Sequence, residues 1–273
     1  MSSLTVSFQE PNWFAVQWRK DPHRCWLAAI LLLALVLRLI HLGTHSFWHD
    51  EAYNMIQSDN LIPVLVKGEL VSNHPPLFVV LIWVWRLFGM DENEWTMRLL
   101  PVLLGLGGIA ALYLLVAHLF TPRAGLFAAF LLAISPMHIL HSQDLKPYIV
   151  LPLTGVLTVY FFYRAVQGNE GRWWTAYALS AGLACYSETF AVFLLAAINL
   201  WMLVQLPWRW NHLPGWVAAN VTGALLFFPY LHVLIERTDK MMVNSEEWWI
   251  PEPSLWSFAF VWKSVAFGYS GME

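Results

Sequence analysis

An all-α, polytopic membrane protein is the fold class the sequence predicts, and three observations predict it. Of 273 residues, 58% are hydrophobic and only 12% charged, whereas about a quarter of a soluble domain is charged. The apolar residues gather into eight stretches of near-spanning length. Seventeen Trp suit the headgroup level, where an indole is half wet. A net charge of −3 is too small to point to nucleic acid or an anionic surface as a partner. Cys25 and Cys185 lie in or beside apolar segments and read as small hydrophobes, not as a disulfide framework.

The first stretch, 26–43, opens with a run of signal-peptide length, Trp26 to Leu37. Arg38 and His41 follow it where cleavage needs small residues, so it is an uncleaved first span. The second, "LFVVLIWVWRLFGM" (77–90), is short, holds Arg86 and follows the stiff "NHPP". It reads as a helix lying in the interface, with its aromatic face in lipid and Arg86 at the headgroups; a full crossing is the alternative. The stretches 99–120, 124–140, 147–163, 173–187, 189–206 and 213–235 are spans. "FTPRAG" (120–125), "VQGNEGR" (166–172) and "LPWRWNHLPGW" (206–216) punctuate them. About seven transmembrane helices result, with interfacial helices in the first outer loop. "GLGG" (105–108) falls inside a span and serves close helix packing rather than phosphate binding.

Charge orients the array. If 77–90 does not cross, then Arg19, Lys20, Arg24, Arg123, Arg164, Arg172 and Arg209 share one side, which the positive-inside rule makes cytoplasmic. Lys67 and Lys146 fall on the other side and run against the rule. The expected organisation is a cytoplasmic N-terminus (1–25), a membrane domain (26–235) whose first outer loop (44–98) carries an acidic pair, and a further outer loop (236–273).

That pair, Asp50-Glu51, lies where the first span gives way to water, with "SFW" before it and "AYNM" after it. A capping reading puts both acids in the first turn of a helix with Ser46 as N-cap, worth a few tenths of a kcal/mol. A functional reading rests on ionisable groups at membrane depth. "SQDLKPY" (142–148) gathers Gln143, Asp144, Lys146 and Tyr148 where another span emerges. Lys146 is either the salt-bridge partner of Asp144 or a point charge for phosphate. In "NHPPLF" (73–78) the prolines hold His74 extended, ready to bind a phosphate or a metal or simply part of a loop. His41, His45 and His49 would form one stripe on a helix, but Gly43 interrupts it. Glu188 is a third outward acid, either part of the site or a marker of the loop between two spans.

"LRLIHLGTHSFWHDEAYN", "NHPPLFVVLIWVWRLFG", "RLLPVLLGLGGIAALYLLVAHLF" and "SPMHILHSQDLKPY" together resemble the GT-C-fold glycosyltransferases related to the dolichyl-phosphate-mannose protein mannosyltransferases, most closely their large bacterial branch. "WWIPEPSLWSF" (248–258) is similar to that family's outer loop after the seventh span. The resemblance implies a membrane glycosyltransferase, a hexosyltransferase of GT-C type. It would move a sugar from a polyprenyl-phosphate-linked donor to a lipid, protein or glycan acceptor at the extracytoplasmic face of the plasma membrane. Asp50 takes the place of the family's first-loop aspartate, as general base or positioner of the acceptor, with Glu51 its companion. His74 falls on the family's His-Pro-Pro turn. Asp144 and Lys146 take the glutamate and arginine positions of a Ser-Gln-Glu-Ala-Arg pattern, and Lys146 would meet the lipid phosphate without an arginine's bidentate grip. Arg38 and Arg98 match family arginines in supporting roles. A divalent metal between Asp50 and Asp144 is another way to neutralise the phosphate.

The chain resembles the N-terminal half of a typical member. That leaves as alternatives a non-catalytic polytopic partner subunit, an inactive fragment or a lipid-linked-sugar flippase. A flippase calls for mid-span charge along a pathway; here the acids gather at one face.

Overall fold

A computed structural model describes residues 22–67, 74–90 and 93–243, with single positions between 254 and 263. The outer loop expected after residue 235, with "WWIPEPSLWSF", lies almost wholly outside the described residues, as do most of the N-terminal segment and Asn73 of "NHPP".

Among the described residues every regular element is helical: α1 (Pro22–Leu39), α2 (His49–Asp59), α3 (Leu61–Lys67), α4 (Leu77–Leu87), α5 (Glu94–Leu119), α6 (Pro122–Ala133), α7 (Pro136–Gln143), α8 (Val150–Gly168), α9 (Gly171–Ser187), α10 (Ala191–Gln205) and α11 (Leu213–Val243). Four segments are long and apolar enough to cross a membrane: 94–119, 147–168, 191–208 and 210–235. Counting α6 and α7 as one span makes five. The seven-span expectation also needs α1, of 18 residues, and α9, of 17, and neither belongs to this set. The chain is an integral membrane protein.

Local chemistry sets the boundaries. Asn93 caps α5, its Oδ1 accepting from the Thr96 amide at 3.0 Å, so the helix starts at Glu94, before the expected 99. Thr121 caps α6 in the same way, with Pro122 at the first helical position. The expected span 124–140 is broken. Proline keeps the preceding residue out of the helical region, Ser135 is extended (φ −64°, ψ 119°), and α6 and α7 meet at 61°. The first helix stops at Leu39 rather than 43, and His41 adopts a left-handed φ of 60°. The proposed histidine stripe therefore has no helix to run along.

Gly105, in α5, packs against Ser142 of α7 so closely that a Cβ would collide with the Ser142 hydroxyl. Helix contact is thus the function of that part of "GLGG". Beneath α2 and α4 an apolar floor is formed by Phe78, Ile82, Met97, Leu100, Leu145 and Ile149. The helix termini sort into two ends. One gathers the end of α1, α2 to α4, the start of α5, and the α7–α8 and α9–α10 connections. The other gathers the α5–α6, α8–α9 and α10–α11 connections.

Candidate functional site

The site is built on α2. Its N-cap is Trp48, not Ser46, and the Glu51 carboxylate accepts from the Trp48 amide at 3.4 Å. Asp50 and Glu51 are adjacent in the first turn, so on a helix they point about 100° apart. Glu51 turns inward and is 0% exposed. Asp50 turns outward, its side chain 53% exposed.

Glu51 holds Arg98 through both oxygens, at 2.9 and 2.6 Å. Arg98 also donates to the carbonyls of Leu42 (3.0 Å) and His45 (2.8 Å). One Glu51 oxygen accepts from the Leu145 amide at 2.8 Å, and Asn54, one turn on, donates to the Leu145 carbonyl at 2.9 Å. The 144–146 linker is thereby stapled to α2 by both backbone groups of its middle residue. Glu51, paired with Asp50 as a catalytic acid in the sequence reading, is buried and fully engaged by Arg98 and the Leu145 amide. It is a buried anchor of the linker that carries Lys146 to Asp50.

Lys146 follows from that staple. Its Nζ lies 2.9 Å from Asp50 Oδ2, 3.6 Å from the centre of the Trp48 ring and 5.5 Å from that of Tyr148. Desolvated cation–π contacts of this kind are worth about 2 kcal/mol. The hydrogen bond from Lys146 holds the Asp50 carboxyl below its ordinary value, against a smaller upward push from burial. The partner of Lys146 is therefore Asp50, not its neighbour Asp144. Among the described residues no hydrogen bond or ion pair engages the Asp144 carboxylate. Burial and the nearby Glu51 charge raise its pKa.

Tyr148, 38% exposed, meets the rings of His74 and His141 at 5.1 Å each. His74 Nδ1 lies 2.7 Å from Glu188 Oε1, and Glu188 is 5% exposed. Glu188 thus belongs to the cluster, tying the α9–α10 turn to the segment before α4.

Two expectations meet other contacts. The Gln143 amide nitrogen donates to the carbonyls of Arg38 (3.1 Å) and Ile40 (2.8 Å), satisfying the end of α1. Arg86 does not simply reach for headgroups: it holds Asp59 at 2.6 Å and the Ser58 hydroxyl at 2.9 Å, docking α4 on α2. With eleven residues, α4 is about 16 Å long, half a bilayer core.

Trp48 and His141 were not assigned roles from the sequence. The aromatic flank of the acidic pair was the only signal for Trp48. Arg38, 0% exposed, donates to the Ala34 and Ala133 carbonyls at 2.9 and 3.1 Å, to Ser142 Oγ at 3.1 Å and lies 2.7 Å from His138 Nδ1. It braces the break between α6 and α7. Among the described residues no group of three or more His, Cys, Asp or Glu side chains is placed to hold a metal ion. With Asp50 engaged by Lys146, an Asp50–Asp144 metal site does not fit this arrangement.

A family model described as dolichyl-phosphate-mannose-protein mannosyltransferase matches residues 73–232. An uncharacterized protein of Aquifex aeolicus (strain VF5) is 25% identical over 190 residues, 65% of this chain and 38% of that relative. ArnT from Cupriavidus metallidurans, in the apo state, superposes with a TM-score of 0.66 at 19% identity, over 89% of this chain and 48% of that one. The archaeal oligosaccharyltransferase AglB from Archaeoglobus fulgidus, solved with an inhibitory peptide and a dolichol-phosphate, gives 0.64 at 19% identity, over 80% and 30%. At such identity the likeness is one of fold, the GT-C fold. The chain spans between about a third and a half of the length of these proteins.

Proposed function

The chain belongs to the dolichyl-phosphate-mannose-protein mannosyltransferase family across residues 73–232, and from that premise we propose that it is a membrane glycosyltransferase. It moves a hexose from a polyprenyl-phosphate-linked donor to a hydroxyl acceptor at the extracytoplasmic end of the bundle. The dolichol-phosphate in the AglB structure supports a lipid-phosphate donor. The end with Asp50 is then outward, with the segment carrying α2 to α4 as its active-site loop and α1 and α9 counted among seven spans.

The observation that carries this reading is the Asp50–Lys146 contact of 2.9 Å inside an aromatic mouth. Transfer from a lipid phosphate needs a base for the acceptor hydroxyl and positive charge for the departing phosphate. Both groups are present, and each neutralises the other. An incoming donor phosphate competes with Asp50 for Lys146. As the ammonium moves to phosphate, the influence that most depresses the Asp50 carboxyl is lost, and Asp50 becomes a stronger base. The acceptor oxygen then attacks the anomeric carbon, its proton passing to Asp50. The bond from that carbon to the phosphate oxygen breaks, and the electron pair leaves with the phosphate beside Lys146. Configuration inverts. His74 and Tyr148 line the donor side, and Asp144, unpaired among the described residues, orients the acceptor.

Sugar release from a panel of radiolabelled polyprenyl-phosphate sugars by membranes holding the full chain tests this. Asp50→Asn is expected to lower turnover about 10²- to 10⁴-fold, and Lys146→Ala to raise the donor KM as well. Wild-type rates in both variants overturn the assignment. A folded chain inert on every donor favours the partner-subunit reading.

A further inference from the structure

At the opposite end of the bundle two arginines share one indole. The Arg164 Cζ lies 4.4 Å from the centre of the Trp173 ring, and the Arg172 Cζ lies 5.1 Å from it. Phe161 stacks on Trp173 at 6.2 Å. Arg164 reaches His118 Nε2 at 3.2 Å, while His118 Nδ1 lies 2.7 Å from the Leu114 carbonyl. A carbonyl only accepts, so Nδ1 holds the proton and Nε2 accepts from the guanidinium. That leaves the imidazole neutral, and it offers Arg164 no charge compensation.

Among the described residues no carboxylate lies within ion-pair reach of Arg164, and the nearby Glu170 is held by Arg172 at 2.6 Å. Arg209 joins the same rim, donating to the Val166 carbonyl at 3.1 Å. Phe120, Trp208 and Trp210, in the α5–α6 and α10–α11 connections at this same end, are exposed, as in an interfacial belt. Arg164 also meets the Tyr160 hydroxyl, and of its N–H donors some remain beyond Tyr160 and His118. With Arg172 on the same indole and an apolar rim, the guanidinium suits an anion carried on an apolar body.

We propose that Trp173 with Arg164 and Arg172 forms a binding site for the phosphate headgroup of an anionic membrane phospholipid. The two guanidiniums bridge the phosphate oxygens in the geometry that suits arginine. The acyl chains lie along Phe161 and the exposed aromatics. A zwitterionic lipid brings its own cation against two arginines and is disfavoured; free phosphate buries no apolar surface. This site is independent of the transfer chemistry at the other end.

Native mass spectrometry and thermal unfolding of the full chain in detergent, titrated with dioleoylphosphatidylglycerol, dioleoylphosphatidylcholine or inorganic phosphate, test it. Phosphatidylglycerol is expected to bind at least about tenfold tighter than phosphatidylcholine. Each arginine is worth about fivefold near a headgroup, so Arg172→Gln lowers the preference about fivefold and Arg164→Gln with it removes the rest. Arg172 is mostly exposed, so its variant folds and remains informative if Arg164→Gln does not. Equal binding of the two lipids, an unchanged preference in the variants, or equal protection by inorganic phosphate overturns the proposal.

Discussion

At one end of the bundle Glu51 is fully buried and grips Arg98 with both oxygens, while at the other Arg172 stands in the open, shared between Glu170 and an indole. Both are arginine–carboxylate contacts of 2.6 Å. What differs is what each holds. The buried pair also carries the carbonyls of Leu42 and His45 and the amide of Leu145, so three chain segments depend on it. Among the described residues the exposed pair itself hydrogen-bonds no backbone group of another segment. Equal distances thus do not mean equal energies; burial and the number of segments tied together decide.

Removing the guanidinium tests the comparison most severely. Arg98→Ala leaves Glu51 as an uncompensated buried charge, and a loss of about 3–5 kcal/mol is expected, read as a fall in the midpoint of thermal unfolding in detergent. Arg98→Met combined with Glu51→Gln recovers part of that loss; if it recovers nothing, backbone carbonyls and not the acid dominate. Glu188→Ala comes next. It strips His74 of a buried partner at 2.7 Å and is expected to cost about 1–3 kcal/mol, measured the same way.

Asp144 carries the opposite sign. Its folded pKa lies above the ordinary 3.8, so its ionised form opposes folding. That cost is absent below pH 3.8 and grows as pH rises through the folded value. Asp144→Asn is therefore expected to raise the unfolding midpoint at pH 7 and to make no difference below pH 3.8. A lower midpoint at pH 7 would show that the carboxylate is paired after all. The smallest effect belongs to the open end, where Arg172→Gln should stay within about 0.5 kcal/mol of the parent in lipid-free detergent.

Much of this architecture is legible in the sequence. Apolar runs and turn residues give the helices and their sorting into two ends, because hydrophobic length and proline chemistry are local. Pairing is not local. Lys146 sits two residues from Asp144, and proximity in sequence suggested that salt bridge. The backbone staple at Leu145 instead turns Lys146 towards Asp50, which no local pattern encodes. Glu51 and Asp50 look equivalent side by side, yet a helix turn sends one into the core and the other to the mouth. Glu188 meets His74 only because the α9–α10 turn folds against the start of α4. The stretch 124–140 reads as one apolar span, and its 61° break, where Arg38 from another helix meets the Ala133 carbonyl, is not set by that local pattern.

That bend has a geometric result. Twenty helical residues laid straight would match a hydrocarbon thickness of about 30 Å. With α6 along the normal, the eight residues of α7 add only about half of their 12 Å once turned by 61°. The elbow therefore spans nearer to about 24 Å. In that orientation, lipids next to so short an element would draw inward to match it, and headgroups beside residue 144 would lie deeper. A substrate anchored by its own tail would arrive at Lys146 already lowered to the depth of the lysine.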